Sequence, residues 1–392
     1  MEPASAGPAH LRPVIAGLGM TDLGKVYGRG TTWFAAEAVR RAAADAGLGL
    51  SDIDGLLVSS GVTRGPGLSL QRALDLRDLR LLSEMNSFGS TAGAMVQYAA
   101  MAVRAGMADV VACVFADAPL REGRSTGAAY GGAPAKGWVG LLGAGGAGGA
   151  TTMYAMAARR HMMTYGTTSE QLGHVAVAQR AWAAMNPLAQ MRTPISLEDH
   201  QSSRWVAEPF HLLDCCLVSN GGIAVIVTSA GRAASLARPP VHVLGWGQAH
   251  PGRFLRRDED FGLASGAARS GPAALAMAGV SLDDIDVFEL YDCYTYTVMI
   301  TLEDYGLCGK GEGGALVSSG LLGPEGKLKV NTGGGQLSSY YMWGMTPLSE
   351  AVIQARGEAG ERQVDRHELV LVSGNGGVLD HHSTLILGGT SR

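Results

Sequence analysis

One segment of the chain occurs twice. AGLGLSDID at residues 46–54 returns as AGVSLDDID at residues 278–286. Each copy follows an Ala-rich helical stretch and precedes an apolar, strand-like run. A chain with that duplication has to build two similar α/β units, joined near SAGRAASLARPP at 229–240. Residues 13–235 then form an N-terminal half and 236–392 a C-terminal half, with residues 1–12, rich in Pro, Ala and Gly, as a flexible lead-in.

The local signals agree with alternating helix and strand. PVIAGLGMT reads as a strand, and WFAAEAVRRAAADAG at 33–47 as a helix opened by Thr31 or Thr32 and closed by Gly47. DGLLVSSG, DVVACVFAD at 109–117, GIAVIVTS at 222–229, VHVLGWG at 241–247, DVFELYD at 286–292 and ELVLVSGNGG at 368–377 read as strands covered on both faces. Residues from about 119 to 210 form an insertion. It holds a Gly-rich run at 136–150, then two amphipathic helices, TTMYAMAARRHMMTYG and SEQLGHVAVAQRAWAAM. Such insertions supply a substrate lid or an oligomer contact.

Composition removes several classes. With 46% hydrophobic residues and a formal net charge of −4, the chain is neither a disordered tail nor an electrostatic nucleic-acid binder. Its longest apolar runs are too short to span a bilayer, and its N-terminus lacks a signal-peptide design. Five cysteines, Cys113, Cys215, Cys216, Cys293 and Cys308, form no CxxC pair, which fits a reduced, cytoplasmic compartment. Gly143, Gly145 and Gly148 satisfy GxGxxG formally, but no clear strand precedes them and no ribose-binding acid follows, so they read as a loop. His381 and His382 lack the spacing of a metal site and read as core or interface residues; no metal is expected. A GxSxG elbow is absent.

Three segments carry a chemical pattern: MNSFGSTAGAMVQYAAMAV at 85–103, ELYDCYTYTVMITLEDYGLCGKGEGGALV at 289–317, and VNTGGGQLSSYYMWGMTPLSEAV at 330–352. The first is a Gly/Ser turn feeding a helix, a geometry that aims backbone N–H groups at a reacting centre. The second places Tyr291, Asp292 and Tyr294 where a strand enters a helix. The third is an Asn331-containing turn followed by Tyr340 and Tyr341.

Taken in this order, with the duplication and with HLLDCCLVSNGGIAVIVTS at 211–229, the segments resemble the thiolase superfamily over nearly the whole chain, specifically its sterol-carrier-protein branch. The resemblance implies a five-layered α-β-α-β-α thiolase fold and a homodimer. It also exposes departures. The family's nucleophilic cysteine turn matches Ser90, Thr91, Ala92 and Gly93; its activating histidine falls on Tyr341. The loop carrying its second cysteine matches Gly374, Asn375, Gly376 and Gly377, and its His-Asp-Cys-Phe motif reads Tyr291, Asp292, Cys293, Tyr294. A hydroxyl with no imidazole beside it is a poor nucleophile at neutral pH, whereas tyrosine can move a proton without a covalent intermediate.

That combination resembles the thiolase-like aldolases that cleave steroid side chains. It implies retro-aldol cleavage of a β-hydroxyacyl-CoA, a 17-hydroxy steroid side-chain thioester, to an androstenedione-like ketone and propionyl-CoA. Tyr341 is the expected base and Tyr294 the expected acid, with the reverse assignment open. Asp292 would orient a tyrosine or a water, and Tyr291, Tyr340 and Asn331 are secondary candidates. Backbone N–H groups of the Ser90 turn and of Gly376 and Gly377 would hold the enolate oxygen. The resemblance further implies a small OB-fold, zinc-ribbon partner protein and no permanently bound cofactor, coenzyme A arriving as part of the substrate. Two rival readings are a thiolase-like acyltransferase using Ser90 and a non-catalytic acyl-CoA-binding subunit.

Overall fold

Both copies of the repeated segment fold the same way in the computed structural model, which describes residues 9–126, 140, 143–146, 149–252 and 260–389. Gly47 (φ 75°) and Gly279 (φ 70°) end the helices before them in the left-handed conformation. The carboxylates of Asp52 and Asp284 accept from the backbone N–H groups of Gly49 (2.9 Å) and Ser281 (2.8 Å), each closing a single 3-10 turn. Asp54 and Asp286 accept from Val110 N (2.8 Å) and Leu369 N (3.0 Å), fixing where a neighbouring strand begins.

The strands are β1 (Pro13–Met20), β2 (Gly55–Ser60), β3 (Leu81–Glu84), β4 (Val110–Asp117), β5 (Trp205–Ala207), β6 (Phe210–His211), β7 (Gly221–Ser229), β8 (Val241–Ala249), β9 (Val287–Glu289), β10 (Lys329–Val330), β11 (Leu369–Gly376) and β12 (His381–Gly388). The helices that matter here are α1 (Thr31–Ala46), α2 (Thr91–Arg104), α3 (Ala150–Tyr165), α4 (Ser169–Ala184), α5 (Ala267–Ala278), α6 (Thr295–Tyr305) and α7 (Met345–Ala355). One half-sheet runs β3-β2-β4-β7-β1 and the other β10-β9-β11-β12-β8, with the same strand directions position for position. They meet where β1 pairs with β8, through Val14–His242 and Ile15–Val241.

Alternation along the strands separates the layers. On β4, Val110, Ala112, Val114 and Ala116 face α1, whereas Val111, Cys113 and Phe115 share a core with Met95, Val96 and Ala99 of α2. Helices α2 and α7 touch strands of both half-sheets, so they form the middle layer; α1 and α5 cover the outer faces. The close approach of the outer helices is built identically twice. A Cβ at Gly17 or Gly19 would overlap the carbonyl oxygens of Ala42 or Ala38 on α1, and one at Gly245 or Gly247 those of Ala274 or Ser270 on α5. The expected five-layered α-β-α-β-α thiolase architecture is present.

Three local expectations change. Helix α1 begins at Thr31 itself: Gly30 takes the cap position with extended backbone and no threonine side chain caps the end. The strand expected over 286–292 is only Val287–Glu289, because Asn331 Oδ1 accepts the next N–H, that of Leu290 (2.6 Å). Strand β12 went unread, although it pairs with both β11 and β8; the two histidines at its start mask an apolar strand. His382 is buried against Ser373 Oγ (2.9 Å), while His381 faces His250 across 3.0 Å.

Between β4 and β7, α3 and α4 fall on the two amphipathic stretches read from the sequence. The second is tied to the C-terminal half: Arg180 Nε donates to Ser338 Oγ (2.9 Å), Trp182 Nε1 to Leu322 O (2.9 Å) and Asn186 Nδ2, just past the helix, to Gly333 O (2.8 Å). Residues 1–8 of the lead-in and Gly148 of the glycine run lie outside the described residues. Among the described residues no helix is long and apolar enough to cross a membrane, and no three His, Cys, Asp or Glu side chains converge as a metal site.

Candidate active site

The Ser87–Ser90 turn enters α2 through a left-handed Phe88 (φ 54°), and Thr91 Oγ1 locks it by accepting from Ser87 N (2.8 Å) and donating to Phe88 O (2.7 Å). Two segments of the other half close over it. A Cβ at Gly89 would overlap the Tyr291 ring and the Asn375 carbonyl; one at Gly374 would press on Gly89 O, and one at Gly376 would overlap Ser87 O. Only glycine lets these three backbones approach so closely. Ser383 Oγ donates to Ser90 O (2.9 Å), adding a fourth tie.

Ser90 itself is buried, and its Oγ makes no hydrogen bond to any described group. Its N–H donates to Ser87 O (3.2 Å). Gly376 packs on Ser87, and Gly377 (φ 63°) turns the chain toward β12. Asn375, just before them, leaves Oδ1 buried without a partner among the described residues. Beside the turn, Ser59, Phe88, Thr91, Phe115 and Trp343 among others line a crevice too narrow to admit a water molecule.

The tyrosines sort into two sets. Tyr340 has extended backbone, so its side chain and that of Tyr341 after it point to opposite sides. Tyr340 is fully buried with its hydroxyl 3.0 Å from Ser349 Oγ, which takes it out of the site. Tyr341 turns the other way and its hydroxyl lies 3.2 Å from that of Tyr291, its N–H being held by Ser219 Oγ (3.0 Å). Tyr294, at the start of α6, stacks on Phe210 (centroids 4.9 Å apart, planes at 6°) and packs on Tyr154 of α3 (4.9 Å). Its hydroxyl donates to Thr151 Oγ1 (2.8 Å). Burial pushes the Tyr294 phenol well above its ordinary value, opposed in part by the Thr151 hydrogen bond, so it is a neutral, protonated group. Cys293 is buried, which raises its thiol too, and it is no thiolate nucleophile.

Asp292 bonds to backbone N–H groups and to no tyrosine among the described residues. Its carboxylate accepts from Gln336 N (2.8 Å) and Leu337 N (3.1 Å), anchoring the wide helical turn Gly335–Ser339 that leads to Tyr341. Gly335 (φ 60°) is required there, since a Cβ would overlap that carboxylate. Asn331 (φ 52°) likewise holds the chain just before Tyr291 through Leu290 N, leaving its own Nδ2 buried without a partner among the described residues. Burial, opposed by the backbone N–H groups, pushes Asp292 up to about 7. The folded state therefore holds this proton where the unfolded chain, with a carboxyl near ~4, has released it. The resulting stability is full below that value and is lost as pH rises through about 7. Asp292→Asn removes the titration, so the melting temperature of the parent relative to the variant should fall between roughly pH 4 and 7; a flat difference would refute the assignment.

Sequence reasoning missed Thr151, Tyr154 and Phe210, all on the insertion. The signal available was weak: Tyr154 shares the buried face of α3 with Ala157, Ala158 and His161, a spacing that reads as ordinary packing. The outer face of the same helix carries Met156, Arg159, Arg160 and Met163 along an open groove of about 730 Å³, closed on its far side by Ala207 and Glu208.

A layered duplication with a glycine-packed turn between its halves defines the thiolase class, and the family described as "Thiolase C-terminal domain-like" matches residues 247–389. The chain belongs to the thiolase-like family that includes the steroid side-chain-cleaving aldolases. It is 38% identical to the "Steroid side-chain-cleaving aldolase" of Thermomonospora curvata, over 92% of this chain and 95% of that protein. It is also 38% identical to the "17-hydroxy-3-oxo-4-pregnene-20-carboxyl-CoA lyase" of Mycobacterium tuberculosis, over 95% of this chain and 98% of the relative. Among solved structures, "Ltp2-ChsH2(DUF35) aldolase" superposes with a TM-score of 0.87 at 37% identity, covering 98% of this chain and 99% of that one.

Proposed function

We propose that this chain cleaves a β-hydroxyacyl-CoA thioester by a retro-aldol reaction, with no covalent enzyme intermediate. It is a carbon–carbon lyase, and its substrate is a 17-hydroxy steroid side-chain thioester that yields an androstenedione-like ketone and propionyl-CoA. The observation that carries this reading is a pair of phenols at the Ser90 turn, the Tyr291 ring packing on Gly89 with its hydroxyl meeting that of Tyr341, and a third phenol, Tyr294, held by Thr151 further along the same segment. The names of the 38%-identical relatives agree with it.

Tyr341, the less buried of the two and in contact with a second phenol, takes the proton of the β-hydroxyl as its phenolate; the oxygen's electron pair forms the ketone as the bond between the α- and β-carbons breaks, and an acyl-CoA enolate remains. Tyr294, protonated and shielded by Phe210 and Tyr154, returns a proton to the α-carbon. Tyr291 passes the proton gained by Tyr341 onward. Asp292, Asn331 and Gly335 hold the segments that carry the tyrosines, and the Gly374–Gly377 segment shapes the space for the thioester. Nothing in this chemistry needs a resident cofactor, since coenzyme A enters on the substrate. A homodimer working with a small OB-fold partner in the cytoplasm completes the proposal; the two components in the printed name of the aldolase structure support the partner.

Incubating the purified protein, with and without its partner, with a 17-hydroxy steroid side-chain CoA thioester should release ketosteroid and propionyl-CoA by mass spectrometry. No release in either setting would sink the substrate assignment. Because Ser90 Oγ meets no base among the described residues, Ser90→Ala should lower turnover by no more than about tenfold, and intact-protein mass spectra should show no acyl adduct in either form. An adduct on Ser90 would transfer the reading to an acyltransferase.

A further inference from the structure

We propose that Thr151 is a positioning residue for the acid Tyr294, fixing the direction of its O–H and stabilising the phenolate left when the proton has gone. This inference rests on the retro-aldol reading above. Stacking on Phe210 and packing against Tyr154 fix the plane of the Tyr294 ring but leave the hydroxyl proton free to turn about the C–O bond. Among the described residues, Thr151 Oγ1 is the one hydrogen-bond partner of that hydroxyl, at 2.8 Å.

A threonine hydroxyl suits both states of the tyrosine. It accepts from the neutral phenol, and by turning its own O–H it donates to the phenolate. In the step itself, the Tyr294 O–H bond breaks and a C–H bond forms at the α-carbon from the enolate electron pair. The negative charge passes to the Tyr294 oxygen and is discharged when the proton taken up by Tyr341 is returned through Tyr291 or water. The charge develops in a buried setting that disfavours it. Thr151 stands in the first turn of α3, where the helix's first N–H groups have no partners within it and give that end a partial positive charge. Sequence arguments centred on the cysteine-replacement sites cannot find this residue, which lies in the insertion next to the glycine run.

The test compares Thr151→Val, Thr151→Ser and Tyr294→Phe in the full protein with its partner, using the same CoA thioester. Thr151→Val keeps the shape and removes the hydroxyl. Its kcat should fall about ten- to a hundredfold, the range expected for losing one hydrogen bond to a charged group. KM should hold, the solvent deuterium isotope effect on kcat should rise as proton donation becomes slower, and Thr151→Ser should restore both. Wild-type kcat and isotope effect in Thr151→Val, with Tyr294→Phe inactive, would overturn the role of Thr151 alone. Equal losses in the Val and Ser variants with a lowered melting temperature would also overturn it, by making the residue a packing element. A fully active Tyr294→Phe would instead overturn the assignment of the acid on which the inference rests.

Discussion

Tyr294→Phe will abolish side-chain cleavage, with turnover falling by about 10²–10⁴-fold, the usual worth of a positioned acid or base. The ring is clamped between Phe210 and Tyr154, so phenylalanine fills the same space and loses only the hydroxyl that meets Thr151. The melting temperature should therefore move little while product disappears from a mass-spectrometric assay. Tyr341→Phe should lose turnover on a similar scale, and it strips Tyr291 of its phenol partner at 3.2 Å. Tyr340→Phe should keep turnover, because that hydroxyl is spent on Ser349. An active Tyr294→Phe would mean that the α-carbon is protonated by some other group.

Arg362→Met should cost about 3–5 kcal/mol of unfolding free energy, the range for breaking a buried ion pair from one side. Arg362 grips Glu350 through Nε (2.8 Å) and Nη2 (3.0 Å), both side chains being nearly inaccessible. Thr332 joins Glu350 to a second buried carboxyl, Glu289, whose proton affinity is raised well above normal by burial and by the Glu350 charge. Without the guanidinium, two acids share an apolar interior with no cation. Denaturant titration reads the loss, and adding Glu350→Gln to Arg362→Met should recover part of it. A loss below about 1 kcal/mol would show that the pair is compensated elsewhere.

Much of the architecture could be read from the chain because the repeated segment has a physical reason to be repeated. Its glycine ends a helix, one aspartate closes a 3-10 turn, and the next aspartate sets the start of a neighbouring strand, twice over. Apolar runs such as GIAVIVTS gave strands directly, whereas β12 was hidden behind His381 and His382. At the site, the family pattern located Tyr291, Tyr294 and Tyr341 but not their partners. Which hydroxyl meets Thr151, Tyr291 or Ser349 depends on side-chain direction in three dimensions. The partners of Asp292 were hidden for a related reason: a carboxylate beside two tyrosines in sequence is, in space, bonded to backbone N–H groups more than forty positions away.

The turn that ends in Ser90 is shaped by Tyr291, Gly344, Gly374 and Ser383, all contributed by the later half of the chain. During synthesis, the stretch that enters α2 is therefore exposed long before the residues that press on it have been made. An N-terminal fragment that ends before Tyr291 carries no formed reaction centre, whatever strands it has paired. Catalytic competence arrives only when β12 takes its place between β11 and β8. A ribosome-bound chain stalled before that strand should be inert however well its first half has folded.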